Sequence, residues 1–311
     1  MPSAAPDYRG RPFAARHYLA YILLCAIWGS TWMAIRVLVE EVAPLWGAGV
    51  RLVIAVAVLL VPIVAARKPL VGSARAFRVN MVLALTMMAV PYGLLFWAEQ
   101  FISSSMTALL YSSMPLVVAL LTPLLTRHRV PRRAVLSMTV GITGLALLFY
   151  QGFSTSREAL FGMLAVVGSV CFSAWSALYA KGELHDEDPF VSSLWQLGGG
   201  AVLLLGASMV LERGRASNWT TGAVWSLFFL AIMGSAVAFA TYYWLLKHAA
   251  PYQTSTITLV VPVMALLEGA IFLEERITPM MMVAAVVVLG AVARVLRPEP
   301  ETSEKILGDP R

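Results

Sequence analysis

Apolar runs of about 20 residues, each long enough to cross a hydrocarbon core as a helix, recur along almost the whole chain. Ten are legible, at 18–39, 44–65, 79–99, 104–126, 132–150, 159–180, 190–211, 220–246, 252–274 and 279–296. The links between them are short and carry the charges, prolines and glycines, as in 67–78, 127–133 and 181–189. The chain is 311 residues long, 59% hydrophobic and 13% charged, against about 45–50% apolar and about 25% charged for soluble domains. A soluble chain of this length has no interior large enough to hide so much apolar surface. The expected class is therefore an all-α integral membrane protein, which excludes a soluble enzyme, a secreted scaffold and a nucleic-acid binder. The formal charge of +6 comes largely from Arg residues that punctuate the spans and read as topology signals facing anionic lipid. Cys25 and Cys171 both sit in apolar stretches, so no disulfide framework is expected.

The first run is too long for a signal peptide and lacks an A-x-A site after it, so the first helix is expected to be retained. Residues 1–17 and 297–311 are polar and contain proline, and are expected to be a disordered N-terminus and a tail. Placing the N-terminus in the cytoplasm puts Lys and Arg of the links on the inner side, except for Arg157, Arg213, Arg215 and Arg276. Arg36 and Arg51 fall within spans. The positive-inside bias thus predicts an inner-membrane, multi-pass protein with both termini cytoplasmic.

Shifting the chain by 147 residues aligns Leu83–Arg129 with Leu230–Arg276 without a gap, with nine identities in 47 positions. They include Trp97/Trp244, Thr107/Thr254 and Pro115/Pro262, and the same shift lays Trp28 on Trp175. A two-residue adjustment matches Pro44 with Pro189. Each half holds five spans, an odd number, so the second half enters the membrane from the opposite side. The expected architecture is ten transmembrane helices in two inverted five-helix repeats, 18–150 and 159–296, the plan of secondary transporters with a midplane site at the repeat interface.

The run Trp28-Gly29-Ser30-Thr31-Trp32 resembles the W-G-S start of EamA-type proteins of the drug/metabolite transporter superfamily. Pro262-Val263-Met264-Ala265-Leu266-Leu267-Glu268-Gly269, followed by Leu273-Glu274-Glu275-Arg276-Ile277-Thr278, is similar to that family's P-V-x-A-x-L-x-G…G-E-R-L-T ending. With Arg51 in the second span, the resemblance covers roughly residues 18–296. It implies ten helices, two inverted repeats and, mostly, export of amino acids and related metabolites. The chain departs from the pattern at Arg127-His128-Arg129, where the first repeat often has an acidic residue, and at Glu274, which replaces a glycine.

Other chemistries lack their residues. No Gly-Lys pair exists to cradle a nucleotide phosphate, and H-E-x-x-H and G-x-S-x-G are absent. His185-Asp186-Glu187-Asp188 has metal-ligand chemistry, but Asp188-Pro189 also reads as an ordinary N-cap and first helical residue. Neither a cofactor nor a metal nor enzymatic activity is expected. The expected partners are a small-molecule substrate and the lipid bilayer, for a protein taken as a monomer.

A carrier needs polar or aromatic side chains facing an interior cavity. Trp28 and Trp32 are i,i+4 on the first span, Trp175 and Tyr179 on the sixth, Tyr92 and Phe96 on the third, and Phe239 and Tyr243 on the eighth. Thr107 and Tyr111 are i,i+4 on the fourth span and Thr254 and Thr258 on the ninth, and the 147-residue shift matches the six spans in pairs, first with sixth, third with eighth and fourth with ninth. These twelve residues are the candidate substrate cavity, with interfacial belts and helix packing as the competing uses of the aromatics. Pro115 and Pro262, read as mid-helix prolines, are candidate hinges or static kinks. Arg36, Arg51 and Glu268 are intramembrane charges, costly by about 2.5–3.5 kcal/mol each on insertion scales, and so expected to face protein or water. They either pair structurally, Arg51 or Arg36 with Glu268 or Glu99, or act on cargo: an Arg on a substrate carboxylate, Glu268 on a coupled proton.

The function expected is secondary active export of a small amphipathic metabolite, an amino acid first. An organic-cation or multidrug exporter would need a deep acid, for which Glu268 is the one membrane-embedded candidate; an intramembrane enzyme would need a nucleophile and base at mid-depth. If Glu268 carries a coupled proton, Glu268→Gln abolishes uphill transport in a pH-gradient assay; unchanged transport with an unchanged pH profile removes that role.

Overall fold

The computed structural model describes residues 14–70, 73–126, 128, 130–149, 156–272 and 279–297. Among the described residues the chain is helical throughout and has no strand. Lipid offers no partner to a backbone N–H or C=O, so each segment must satisfy its own. The helices are α1 (Ala15–Glu41), α2 (Pro44–Ala65), α3 (Ala74–Leu83), α4 (Val90–Ala98), α5 (Ser104–Tyr111), α6 (Met114–Leu125) and α7 (Arg132–Phe149). There follow α8 (Arg157–Glu183), α9 (Pro189–Leu211), α10 (Thr221–Ala231), α11 (Ala238–His248), α12 (Pro251–Ser255), α13 (Ile257–Phe272) and α14 (Pro279–Leu296). Seven helical stretches among the described residues are long and apolar enough to span a membrane: Ala15–Glu41, Pro44–Ala65, Ala74–Ala98, Met106–Leu125, Arg157–Glu183, Pro189–Leu211 and Thr221–His248.

Several of the expected continuous spans are interrupted. The third and eighth each carry a π-helical turn, Ala84–Ala89 between α3 and α4 and Ile232–Val237 between α10 and α11. The two turns lie within one residue of the 147-residue shift. The fourth breaks at Ser112 and Ser113, whose hydroxyls donate back to Leu109 O (2.5 Å) and Leu110 O (2.7 Å). The ninth breaks at Thr256, which donates to Gln253 O (2.6 Å) and shares a hydrogen bond with Tyr21 (2.8 Å).

Two expectations need correction here. Pro115 is not mid-helix: it stands in the first turn of α6, where a missing N–H costs nothing. Pro262 does lie inside α13, beyond the break. Residues 15–17 are helical rather than disordered, because His17 Nδ1 accepts the Ala14 N–H (2.9 Å) and the His17 ring packs on Trp244 and His248. The remainder of both expected tails lies outside the described residues.

The packing comes in sets that the shift matches. α2 packs on α9 and α7 on α14; α4 on α8 has its counterpart in α1 on α10 and α11, and α6 on α8 in α1 on α13. The α2–α9 pair runs antiparallel. At one end Glu212, which caps α9, accepts the N–H groups of Leu45 (3.0 Å) and Trp46 (3.1 Å), donors in the first turn of α2 that Ala43 has no side chain to satisfy. At the other end Lys68 reaches Asp188 (2.6 Å), the N-cap of α9, and Trp195 Nε1 donates to Leu70 O (2.6 Å). Burial works against the Asp188 carboxylate, but Lys68 and the N–H groups of Val191 and Phe190 together hold its pKa below the ordinary value.

Because lipid is as apolar as the helices, close approach of small residues rather than expulsion of water draws such pairs together. α9 meets α2 and the first π turn at Gly199 and Gly200, where an added Cβ would fall 2.6 Å from Ala84 Cβ and Met88 Cβ respectively. Those neighbours are short and fixed, so Gly200→Ala should lower stability by about 1–3 kcal/mol through forced separation of the helices. The check is the thermal midpoint of purified protein, with Gly206→Ala, which meets nothing within 4 Å, expected to leave it unchanged.

Candidate functional site

The two sets of helices enclose a cavity of about 100 Å³ of water-sized space. α1 contributes Trp28, Thr31, Trp32 and Ile35; α2 contributes Arg51; and the π turn with α4 contributes Met87, Pro91, Tyr92 and Leu95. Tyr111 and Ala108 come from α5, Ser173 from α8, Phe239 and Tyr242 from α11, and Thr254, Ser255 and Thr258 from the broken ninth span. The walls are aromatic. Trp28 meets Phe239 and Tyr242 at centroid separations of 5.9 and 5.6 Å, and Trp32 meets Tyr111 edge-on at 5.8 Å. Tyr111 donates to Ser173 Oγ (2.9 Å), joining α5 to α8 across the wall.

Arg51 is 2% exposed and the only charged residue among the described residues that line the cavity. Its Nε donates to Ser235 Oγ (2.7 Å), and its Nη2 donates to Gly234 O (3.1 Å) and Tyr92 Oη (3.2 Å). The guanidinium lies 4.7 Å from the Tyr92 ring centre and 5.9 Å from that of Phe96. The second π turn is what receives it. Gly234 has no side chain there, and a Cβ would come within 3.1 Å of Nη2 and 2.9 Å of Thr31 Cγ2. Ser235 in turn donates its own hydroxyl hydrogen to Leu230 O (3.0 Å), which turns a lone pair toward Arg51. No described carboxylate pairs with Arg51, and its Nη1 is buried without a hydrogen-bond partner. The indole Nε1 of Trp32 is likewise buried and unpartnered.

Of the sequence candidates, Trp28, Trp32, Tyr92, Tyr111, Phe239, Thr254, Thr258 and Arg51 meet at this cavity. The others lie elsewhere. Phe96 is fully buried against Tyr92, and Thr107 is buried with its hydroxyl on Ser103 O. Tyr243 donates to Gln196, which reaches Asn80 (2.9 Å) in a buried chain at the junction of α3, α9 and α11. Trp175 and Tyr179 stack on each other at 4.9 Å, half-buried, because the inward face of α8 is the serine stripe Ser169, Ser173 and Ser176 instead.

Arg36 does not enter the cavity: it pairs with Glu40 (2.6 Å) and donates to Glu99 O (2.6 Å), while a Glu99 carboxylate oxygen accepts from Ser104 (2.8 Å). Arg36 thus meets Glu99 at its backbone carbonyl and pairs its charge with Glu40, not with the Glu99 carboxylate. Pro115 and Pro262 do not line the cavity. The Glu268 side chain lies outside the described residues, as does the stretch 273–278. Sequence reasoning missed Thr31, Ser173, Tyr242 and Ser255 as lining residues and Gly234 and Ser235 as the Arg51 receptor. Only the serine stripe of α8 carried a readable signal.

A multi-pass helical membrane protein with an aromatic, singly charged cavity between two matched sets of helices is a protein built to accommodate a small solute. The chain belongs to the EamA-like transporter family, matching it over residues 16–150 and 160–297. It is 28% identical over 84% of its length, and 89% of the relative's, to the uncharacterized transporter YoaV of Bacillus subtilis (strain 168). It is 26% identical to the uncharacterized inner membrane transporter YedA of Escherichia coli (strain K12), over 89% of each chain. Protein PagO of Salmonella typhimurium is 22% identical over 92% of this chain and 95% of its own. A solved crystal structure superposes with a TM-score of 0.75 over 91% of this chain and 96% of its own at 17% identity, which shows a common fold.

The Arg51 receptor is open to direct test. Ser235→Ala removes the acceptor of Nε and leaves a second guanidinium nitrogen unpaired, at an expected cost of about 1–3 kcal/mol. Thermal unfolding of the purified variant measures it, and an unchanged midpoint would mean that Ser235 does not hold the guanidinium.

Proposed function

We propose that this protein is a secondary active transporter of the inner membrane that exports amino acids or related small metabolites by alternating access. The observation that carries the reading is the cavity itself, lined from both halves of the chain and walled by aromatic rings with a few hydroxyls, the composition of a site for a small amphipathic solute. The relatives named as transporters support carriage, and the resemblance to the EamA family supports amino acids and the outward direction.

The architecture of this reading is ten spans in two inverted repeats with both termini in the cytoplasm. Its support is physical. The shift that nearly matches Pro44 with Pro189 makes α2 and α9 counterparts, and their end contacts hold them antiparallel, as inversion requires. The matched π turns and the exchange-related contacts of α1 and α8 point the same way. Rocking of one repeat against the other around the cavity would expose it alternately to the two faces, and the breaks at Ser112–Ser113 and Thr256 are where the fourth and ninth spans can bend.

Counterflow in proteoliposomes tests the reading. Vesicles preloaded with a mixture of amino acids should take up a labelled subset of them faster than empty vesicles do, with saturation. Flux that does not saturate and shows no trans-stimulation would make the protein a channel, and no exchange of any amino acid by folded protein would remove amino acids as the cargo.

A further inference from the structure

We infer that the cavity recognises its solute through a carboxylate, so that its substrates are organic acids with an apolar or aromatic body, whether or not they also bear an amino group, and that amines and organic cations are not substrates. The inference rests on the cavity being the carrier's substrate site. It starts from Arg51. A guanidinium offers five N–H donors and no acceptor; here Nε and Nη2 are committed to Ser235, Gly234 and Tyr92, and Nη1 keeps its donors without a partner in a residue 2% exposed. A buried charge left partly unpaired is a costly arrangement that a protein resolves with a counter-charge, yet no carboxylate stands among the described residues that line the cavity.

Trp32 Nε1 is a second buried donor without a partner, and an indole N–H can only donate. Trp32 and Arg51 line the same cavity. A fixed positive charge and donor-only groups call for an anionic acceptor.

The hydroxyls that the broken ninth span brings to the cavity are neutral. Thr254, Ser255 and Thr258 have given their hydroxyl hydrogens to the carbonyls of Pro251 (3.0 Å), Tyr252 (2.9 Å) and Ser255 (2.8 Å), so they face a solute as acceptors. These oxygens can receive an ammonium or a hydroxyl, but without a charge to offset the repulsion between a cation and Arg51. An amino group is therefore tolerated and a carboxylate is required.

Three probes of one shape separate the possibilities: 3-phenylpropanoate, phenylalanine and phenethylamine, titrated calorimetrically into the purified full-length protein in lipid nanodiscs. Both carboxylates are expected to bind, and phenethylamine to bind roughly tenfold to a hundredfold more weakly, the range of one charge-assisted hydrogen bond. Arg51→Gln should erase the preference, and Arg51→Lys should retain part of it as a point charge without the planar fork. Because an Arg51 variant can fail to fold, Trp32→Phe gives a second handle: it keeps the ring, drops the N–H, and should weaken both carboxylates while leaving the amine alone. Phenethylamine binding as tightly as 3-phenylpropanoate overturns the inference. So does failure of folded protein to bind either carboxylate, or a preference that survives in folded Arg51→Gln. Binding is read here without flux, so absent counterflow with intact carboxylate binding removes amino acids as the cargo and leaves the cavity's preference for a carboxylate standing.

Discussion

The guanidinium of Arg51 is the charge around which the middle of the molecule is organised. A positive charge inside a bilayer is stable only when protein replaces the water it has lost, and three separate stretches of chain are shaped to do so. The second π turn supplies a carbonyl at Gly234 and a hydroxyl at Ser235, α4 supplies the Tyr92 ring and phenol, and α2 supplies the Arg itself. Because the receptor lies in one half of the chain and the Arg in the other, this single side chain ties the halves together at the wall of the cavity. A regular α-helix would return the Gly234 carbonyl to its own ladder. The wider π turn loosens that ladder where the guanidinium needs an acceptor.

Away from the centre, polar groups settle the ends of the helices. α2 starts at Ala43-Pro44 with no capping side chain of its own, and Glu212 from the end of α9 takes that role while its own carboxylate is steadied by Ser208 (2.7 Å). Lys181 does the reverse office for α11, donating to the carbonyls of Leu246, Lys247 and Ala249 at that helix's C-terminus. In each case a residue that looks like a stray charge in the sequence completes the backbone of a helix distant in the chain.

Much of the fold was legible because lipid makes sequence patterning blunt. Where a span must be apolar for its full length, its limits show: 44–65 is the observed α2, and 190–211 misses the observed α9 by one residue at its start. What was not legible is how a span is interrupted. The π turns, and the break at Thr256, depend on partners such as Arg51 and Tyr21 that come from other helices. The cavity was legible in part for the same reason. Trp28 and Trp32, i,i+4 on α1, both reach the cavity; of the α11 pair only Phe239 does, and on α8 the identical spacing of Trp175 and Tyr179 marks a self-stacked pair away from it, where small serines take the inner face. Spacing names a face of a helix; which way that face turns is decided by the neighbours.

The antiparallel pair α2–α9 is fastened at both of its ends, by Glu212 at one and by Lys68–Asp188 and Trp195–Leu70 at the other. Sliding one helix along the other would strain both fastenings at once, whereas turning the pair as a unit strains neither. The pair is therefore a two-helix shaft, pinned at both ends against shear along its length.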